Sequence, residues 1–196
     1  MFYETALNNH GMMLDPFKAI VMPRPIGWIS TLSATGQANL APYSFFNAFS
    51  DNPYYVAFGS GGYKDTLANI ESTREFAVNL ASFELREAMN ISSTAGQGDE
   101  FELAGLEKAS CHMIKAPRVA ASPACLECQH FQTVSLPADN GTVNDWLVIG
   151  KVVGIHIADQ FIENGRVNSA AMKPILRLGY SEYATVDAAW KMRRPV

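Results

Sequence analysis

Three short stretches of this chain hold residue types from which a small-molecule site could be built. Pro23-Arg24-Pro25-Ile26-Gly27-Trp28-Ile29-Ser30-Thr31 alternates Ile26, Trp28 and Ser30 on one side against Gly27, Ile29 and Thr31 on the other. That is strand periodicity ending in two hydroxyls. Pro42-Tyr43-Ser44-Phe45-Phe46-Asn47 places aromatic rings beside hydroxyl and amide groups. Gly61-Gly62-Tyr63-Lys64-Asp65-Thr66 is a small-residue loop leading into a lysine and a helix start. Strand hydroxyls and amides can meet the polar edge of a planar ring, and aromatic side chains can wall its face. A lysine and a threonine hydroxyl at a helix N-terminus suit an anion by charge, hydrogen bonding and helix dipole.

Other chemistries lack their motifs. No GxGxxG follows a strand, so there is no Rossmann dinucleotide site. Lys64 is followed by Asp65, and the GxxxxGK[ST] spacing of a P-loop is absent. Cys125-Leu126-Glu127-Cys128 is a CxxC without a second CxxC or a paired-histidine half. It lies in a strand pattern, where positions three apart face opposite ways, so free thiols are expected and no metal. His156 is a lone histidine on an apolar strand, more often a core or interface residue, the alternative being a contact to a bound cofactor or co-substrate. His112 and His130 have no supporting motif.

The elements that must position these residues are mostly strands. Ile26–Ser33, Asn39–Tyr43, Tyr54–Gly59, Glu75–Leu80, Leu126–Leu136 and Trp146–Ala158 all read as strands. Ala34-Thr35-Gly36-Gln37 is a hairpin turn. Helices are predicted after Asp15-Pro16, from Asp65 to about Ser72, and from Leu85 to Ile91. Ser92–Glu102 is small and polar and reads as a surface loop. Phe161–Ala171 reads as an insertion, and Arg177–Tyr183 could close the sheet. Most strand-to-strand links are too short for parallel crossovers. The expected fold is therefore mainly antiparallel β, a closed or split barrel with helices outside.

At 196 residues the chain is expected to form one domain spanning 1–196. The formal charge of −4 argues against nucleic acid or an anionic membrane as partner. No apolar run approaches the roughly 20 residues of a membrane span. The polar stretch from Met1 to Gly11 lacks a signal-peptide pattern, and three cysteines suit reduced thiols. A cytoplasmic location is the resulting expectation.

A flavin mononucleotide needs a ring wall, polar groups at the ring edge and a phosphate site. The order and spacing of the three stretches offer all of them. In that order they resemble the flavin reductase-like proteins, the FMN-binding split-barrel family that includes flavoredoxin and the small components of two-component monooxygenases. Glu75–Leu80, Leu126-Glu127-Cys128, Gly150–His156 and Arg177–Tyr183 fit the same family, so the resemblance runs from about Phe17 to Tyr183. It implies a six-stranded antiparallel split barrel and a homodimer with FMN near the subunit interface. It places Ser30, Thr31 and Leu32 at the flavin edge. Tyr43, Ser44, Phe45 and Asn47 would flank the ring and ribityl chain, and Lys64 and Thr66 would hold the phosphate. The implied activity is an NAD(P)H:flavin reductase, passing hydride to flavin N5 and electrons on to oxygen, free flavin, iron or a partner oxygenase. The alternative is a flavoredoxin-like electron carrier reduced by a protein partner. Because the cofactor carries the chemistry, no general acid or nucleophile is expected. With no Rossmann selector, NADH and NADPH both remain open.

Overall fold

A computed structural model describes residues 1–94 and 98–195. The chain opens with a short helix, α1 (Phe17–Ile20), where the Phe17 N–H donates to Asp15 Oδ1 at 2.8 Å and Pro16 is the N-cap. Pro23 and Pro25 forbid its continuation, and the chain passes into a short strand, β1 (Arg24–Pro25). Four strands follow: β2 (Gly27–Leu32), β3 (Ala38–Tyr43), β4 (Phe46–Asp51) and β5 (Tyr54–Gly61). Helix α2 (Asp65–Thr73) ends where Arg74 takes a left-handed conformation at φ 65°, and β6 (Glu75–Leu80) begins at once.

Beyond β6 come α3 (Arg86–Ile91) and α4 (Glu100–Leu103). Two short strands, β7 (Lys108–Ala109) and β8 (Arg118–Val119), precede the long pair β9 (Ala124–Pro137) and β10 (Val143–Ile157). The C-terminal part holds a small hairpin, β11 (Ile162–Glu163) with β12 (Arg166–Val167), then β13 (Ile175–Arg177) and β14 (Tyr183–Thr185).

The main sheet runs β3-β2-β6-β9-β10-β5-β4, with every pairing antiparallel. It has seven strands among the described residues, not six. The additional strand is β4, which forms a hairpin with β5 and is almost wholly exposed, so its sequence has no alternating apolar side. Two other expectations need correction. Arg177 does not close this sheet: β13 joins β1 and β14 in a separate three-stranded sheet. Within 92–102 the described part is not all loop, because Asp99 accepts from the Phe101 N–H at 2.9 Å and starts α4. Residues 95–97 of that segment lie outside the described residues.

One face of the sheet curls around a core drawn from six of its strands. Ile29, Tyr43, Val56, Phe58, Phe76, Val78, Cys128 and Val148 meet there, and Leu67 and Ile70 of α2 plug the same core. Phe58 packs between Tyr43, tilted at 4.7 Å, and Phe76, edge-on at 5.8 Å between ring centroids. Gly150 exists for this packing, since a Cβ there would lie 2.3 Å from Phe76 Cζ. The other face carries Trp28, Leu40, Ala77 and Cys125, covered by α3, α4 and segment 110–122. Cys125 and Cys128 thus face opposite ways, as their spacing in a strand requires.

Segment 110–122 is strapped to that outer face by polar contacts. Asn79 Oδ1 accepts from the Val119 N–H at 2.8 Å, and its amide donates to the Trp28 carbonyl and Ser30 Oγ at 3.0 Å each. Ser30 Oγ donates to the Pro117 carbonyl at 2.5 Å. Ser122 Oγ donates to the Leu80 carbonyl at 2.9 Å, and Glu75 Oε1 accepts from the Lys115 N–H at 2.6 Å. Buried polar groups need such partners, so these bonds fix where the segment runs.

Candidate functional site

The turn between β5 and α2 builds the first cleft. Gly62, at φ +86°, takes a conformation that other residues rarely adopt. Its N–H donates to the Asn144 carbonyl at 2.7 Å, which fastens the turn to the start of β10. Ser60 Oγ donates to the Gly62 carbonyl at 3.0 Å. The chain then enters α2 through Lys64, an extended N-cap whose side chain makes no capping bond. Its carbonyl accepts the first helical bond, from Ala68 at 3.0 Å. The amides of the first turn therefore have neither a helical partner nor a side-chain cap.

Thr66 is buried in that turn, and its Oγ1 accepts from Asn39 Nδ2 at 2.9 Å. One turn further on, Asn69 Nδ2 donates to Thr31 Oγ1 at 3.0 Å. These two bonds set α2 against β2 and β3. Tyr43 lies behind Thr66 with its hydroxyl buried. Burial pushes this phenol above its ordinary range. The Thr66 and Ser60 hydroxyls nearby limit the rise, but no hydrogen bond of normal geometry reaches it.

The cleft has a volume of about 650 Å³, within the range that small-molecule sites occupy. Pro42, Tyr43, Ser44 and Phe45 form one wall, and Lys64, Asp65 and Thr66 form another. Phe45 backs onto Gly59, where a Cβ would come within 3.2 Å of Phe45 Cβ, and Gly59 N–H donates to the Phe45 carbonyl at 2.7 Å. Lys18 Nζ and Arg24 Cζ stand 6.0 and 5.7 Å from the centre of the Phe45 ring. These contacts favour an aromatic face held in place. Arg24 itself is buried, tied to the carbonyls of Lys18, Val21 and Leu178.

Five of the nine residues expected to bind the cofactor therefore come together here: Tyr43, Ser44, Phe45, Lys64 and Thr66. Four do not. Ser30 and Thr31 are fully buried, with their hydroxyls bonded to Pro117 and Asn79 and to Asn69. Leu32 packs against the outer-face core. Asn47 is exposed on β4, its Oδ1 accepting from the neighbouring Ala48 N–H at 2.8 Å.

The sequence reading missed Lys18, Asn39, Glu100 and Asp145, which also line the cleft. Asp145 arrives by strand register, opposite Gly61. Glu100 arrives through α4 and accepts from the Leu40 N–H at 3.1 Å. Burial raises the Glu100 carboxyl above its ordinary range. The Leu40 amide opposes that rise, while the charges of Asp99 and Asp65 add to it.

Fold and cleft define a mainly β split-barrel protein with an aromatic wall facing an open helix N-terminus. Residues 19–176 match the family model described as flavin reductase like domain, and the chain belongs to that family. It is 34% identical over 182 residues to an uncharacterized protein of Aquifex aeolicus, covering 89% of this chain and 90% of that one. An uncharacterized protein of Deinococcus radiodurans is 37% identical over 176 residues, covering 82% of this chain and 74% of that one. Nitrilotriacetate monooxygenase component B from Bacillus cereus superposes with a TM-score of 0.87 at 27% identity, covering 98% of each chain. Flavoredoxin of Desulfovibrio vulgaris (Miyazaki F) shares the fold, with a TM-score of 0.80 at 15% identity over 98% of this chain and 97% of that one. The chain is a flavin-related oxidoreductase or carrier. No helix among the described residues is long and apolar enough to cross a membrane.

Proposed function

We propose that this chain is an FMN-binding oxidoreductase of the NAD(P)H:flavin reductase type, acting as one domain per subunit of a homodimer. The observation that carries this reading is the uncapped N-terminus of α2, opening beside Lys64 and Thr66 into a cleft walled by Phe45. Such a helix end, with a lysine and a hydroxyl, suits a phosphate. Phe45 and Pro42 supply an apolar wall for a planar ring. Asp145, Glu100 and Ser44 offer acceptors to the hydroxyl and N–H groups of a flavin. The orphaned Tyr43 hydroxyl behind Thr66 is a further polar group at this end of the cleft.

Bound FMN would supply the redox chemistry, hydride acceptance at N5 and electron delivery. The protein's own residues contribute position and charge. Lys64, Thr66 and the first amides of α2 anchor the phosphate end. The Phe45 wall fixes the ring plane, so that donor and acceptor atoms can approach within about 3.5 Å. The likeness to a monooxygenase component B supports a partner oxygenase as one destination for the electrons. Phe49 and Tyr54 on the β4–β5 hairpin, whose far end borders the cleft, are each more than half exposed, which supports a second copy covering that edge strand.

The visible spectrum of purified protein with FMN, before and after anaerobic NADH or NADPH, tests the reading. Loss of the flavin band on adding one of the nucleotides is expected. Bound flavin that bleaches with dithionite but with neither nucleotide would overturn the reductase and leave the flavoredoxin-like carrier. Failure to bind FMN would overturn both.

A further inference from the structure

A second cleft, of about 610 Å³, lies at the opposite end of β10 from Asp145. The reductase reading uses none of its residues. At its floor is Glu127 of β9, 1% exposed and on the outer face of the sheet. Gly154 makes room for it, since a Cβ there would come within 3.1 Å of Glu127 Cδ. The neighbouring bulge between Val152 and Gly154 turns β10 so that His156 reaches the same spot.

The carboxylate is held from several sides. Its oxygens accept the backbone N–H groups of His112, at 2.8 Å, and Met113, at 2.5 Å, and His156 Nε2 bonds to Oε1. Burial alone would raise this acid. The two amides and His156 outweigh burial and leave it below the ordinary range. The His112 ring stacks on His156, with centroids 5.3 Å apart and planes 15° from parallel.

The strap segment brings a third donor. Cys111 is half-buried, and its Sγ, a Glu127 oxygen and a His156 nitrogen all lie within 4.8 Å of one another. The three come from separate segments, so no spacing motif marks them. The CxxC does not act as a pair here: Cys125 packs beside Cys111, whereas Cys128 lies in the core on the other face.

We propose that Cys111, Glu127 and His156 bind a divalent transition-metal ion of the zinc class, with one coordination position open to the second cleft. Thiolate, imidazole and carboxylate form the ligand set that such borderline ions prefer, and three protein ligands with an open position is the pattern of reactive sites. At bond lengths of about 2.0–2.3 Å, tetrahedral donors stand roughly 3.5 Å apart. Cys111 therefore swings inward and the His156–Glu127 pair opens, both by side-chain rotation. The ion displaces the Cys111 thiol proton, which leaves to solvent, and His156 binds through Nε2 as a neutral imidazole that carries its proton on Nδ1. The amides of His112 and Met113 orient Glu127 as outer partners of the ion.

The test uses full-length protein without a histidine tag, stripped with chelator and kept reduced by a phosphine. It is titrated with Co²⁺ and then with Zn²⁺. One Co²⁺ per chain is expected, with a thiolate-to-cobalt charge-transfer band that Zn²⁺ abolishes. Cys111→Ser should lose the band, and both Cys111→Ser and His156→Gln should weaken affinity at least about 100-fold. His130→Gln, on the same strand as Glu127 but outside the cluster, should change neither. In unmutated protein, Zn²⁺ should slow alkylation of Cys111, which keeps the test decisive if a variant misfolds. Absence of saturable binding, or a charge-transfer band that persists in Cys111→Ser, would overturn the proposal. FMN binding to the first cleft is measured separately and is not required for either result.

Discussion

β2 and the turn between β5 and α2 both carry hydroxyls bonded inside the protein, yet only the turn leaves hydrogen-bond donors open to a cleft. In β2 both faces are covered, and the Ser30 and Thr31 hydroxyls are bonded to Pro117, Asn79 and Asn69. In the turn, the Ser60 and Thr66 hydroxyls are bonded to the Gly62 carbonyl and to the Asn39 amide, while Lys64 and the first amides of α2 are left open to the cleft. Burial makes the difference. A hydroxyl on a strand covered on both sides must find a protein partner. A helix end at a cleft rim is left with donors that only solvent or a ligand can meet. Residue type alone does not separate structural from binding groups; the number of covered faces does.

The largest effect that sharpens this comparison should come from Asn79→Ala. It removes three buried bonds, to Trp28, Ser30 and Val119, and leaves the fully buried Val119 N–H without a partner. A loss of about 3 kcal/mol is expected in chemical denaturation. A loss below about 1 kcal/mol would mean that the strap is held by other contacts. Lys64→Ala should act in the other region. It should leave the unfolding of ligand-free protein unchanged and weaken FMN by about 1.5–3 kcal/mol, while riboflavin, which lacks the phosphate, is nearly unaffected. Equal losses for the two ligands would move the phosphate site elsewhere.

Ser30→Ala is the smaller and more pointed test. The structure uses this hydroxyl between Pro117 and Asn79, so a stability loss of about 1 kcal/mol is expected, with FMN affinity of the folded protein unchanged. A tenfold loss of FMN affinity with unchanged denaturation would return Ser30 to the cofactor site and break the comparison.

The same contrast explains what the sequence made legible. β2, β3, β5, β6 and α2 were readable because each buries an apolar side that leaves its period in the sequence. β4 was not, because an exposed edge strand keeps no such period. α4 was not, because its four residues follow a small polar run and are held by Asp99 and Glu100 rather than by a long amphipathic stripe. Lys64, Thr66 and the Tyr43–Phe45 wall were legible because their chemistry is local. Asp145 was not, because it reaches the cleft through pairing with Gly61. The cluster of Cys111, Glu127 and His156 depends on a bulge and on a strap outside the main sheet, and neither leaves a spacing pattern.

Glu100 of α4 combines both kinds of role, and its titration gives the smallest effect. One oxygen satisfies the buried Leu40 N–H, as a structural group would, and the residue also lines the cleft. Burial, with Asp99 and Asp65 adding, raises its pKa in the folded state. The folded protein then binds this proton more tightly than the unfolded chain does. The resulting stabilisation is complete below the ordinary carboxylate range and is lost as pH rises through the raised value. Glu100→Gln keeps a carbonyl oxygen for Leu40 and has no proton to lose. Relative to unmutated protein, the variant should therefore gain stability as pH increases from the ordinary carboxylate range to neutrality. Denaturation curves at several pH values check this. A pH dependence identical in the two proteins would mean that the cleft solvates Glu100 well enough for it to count as a cleft residue alone.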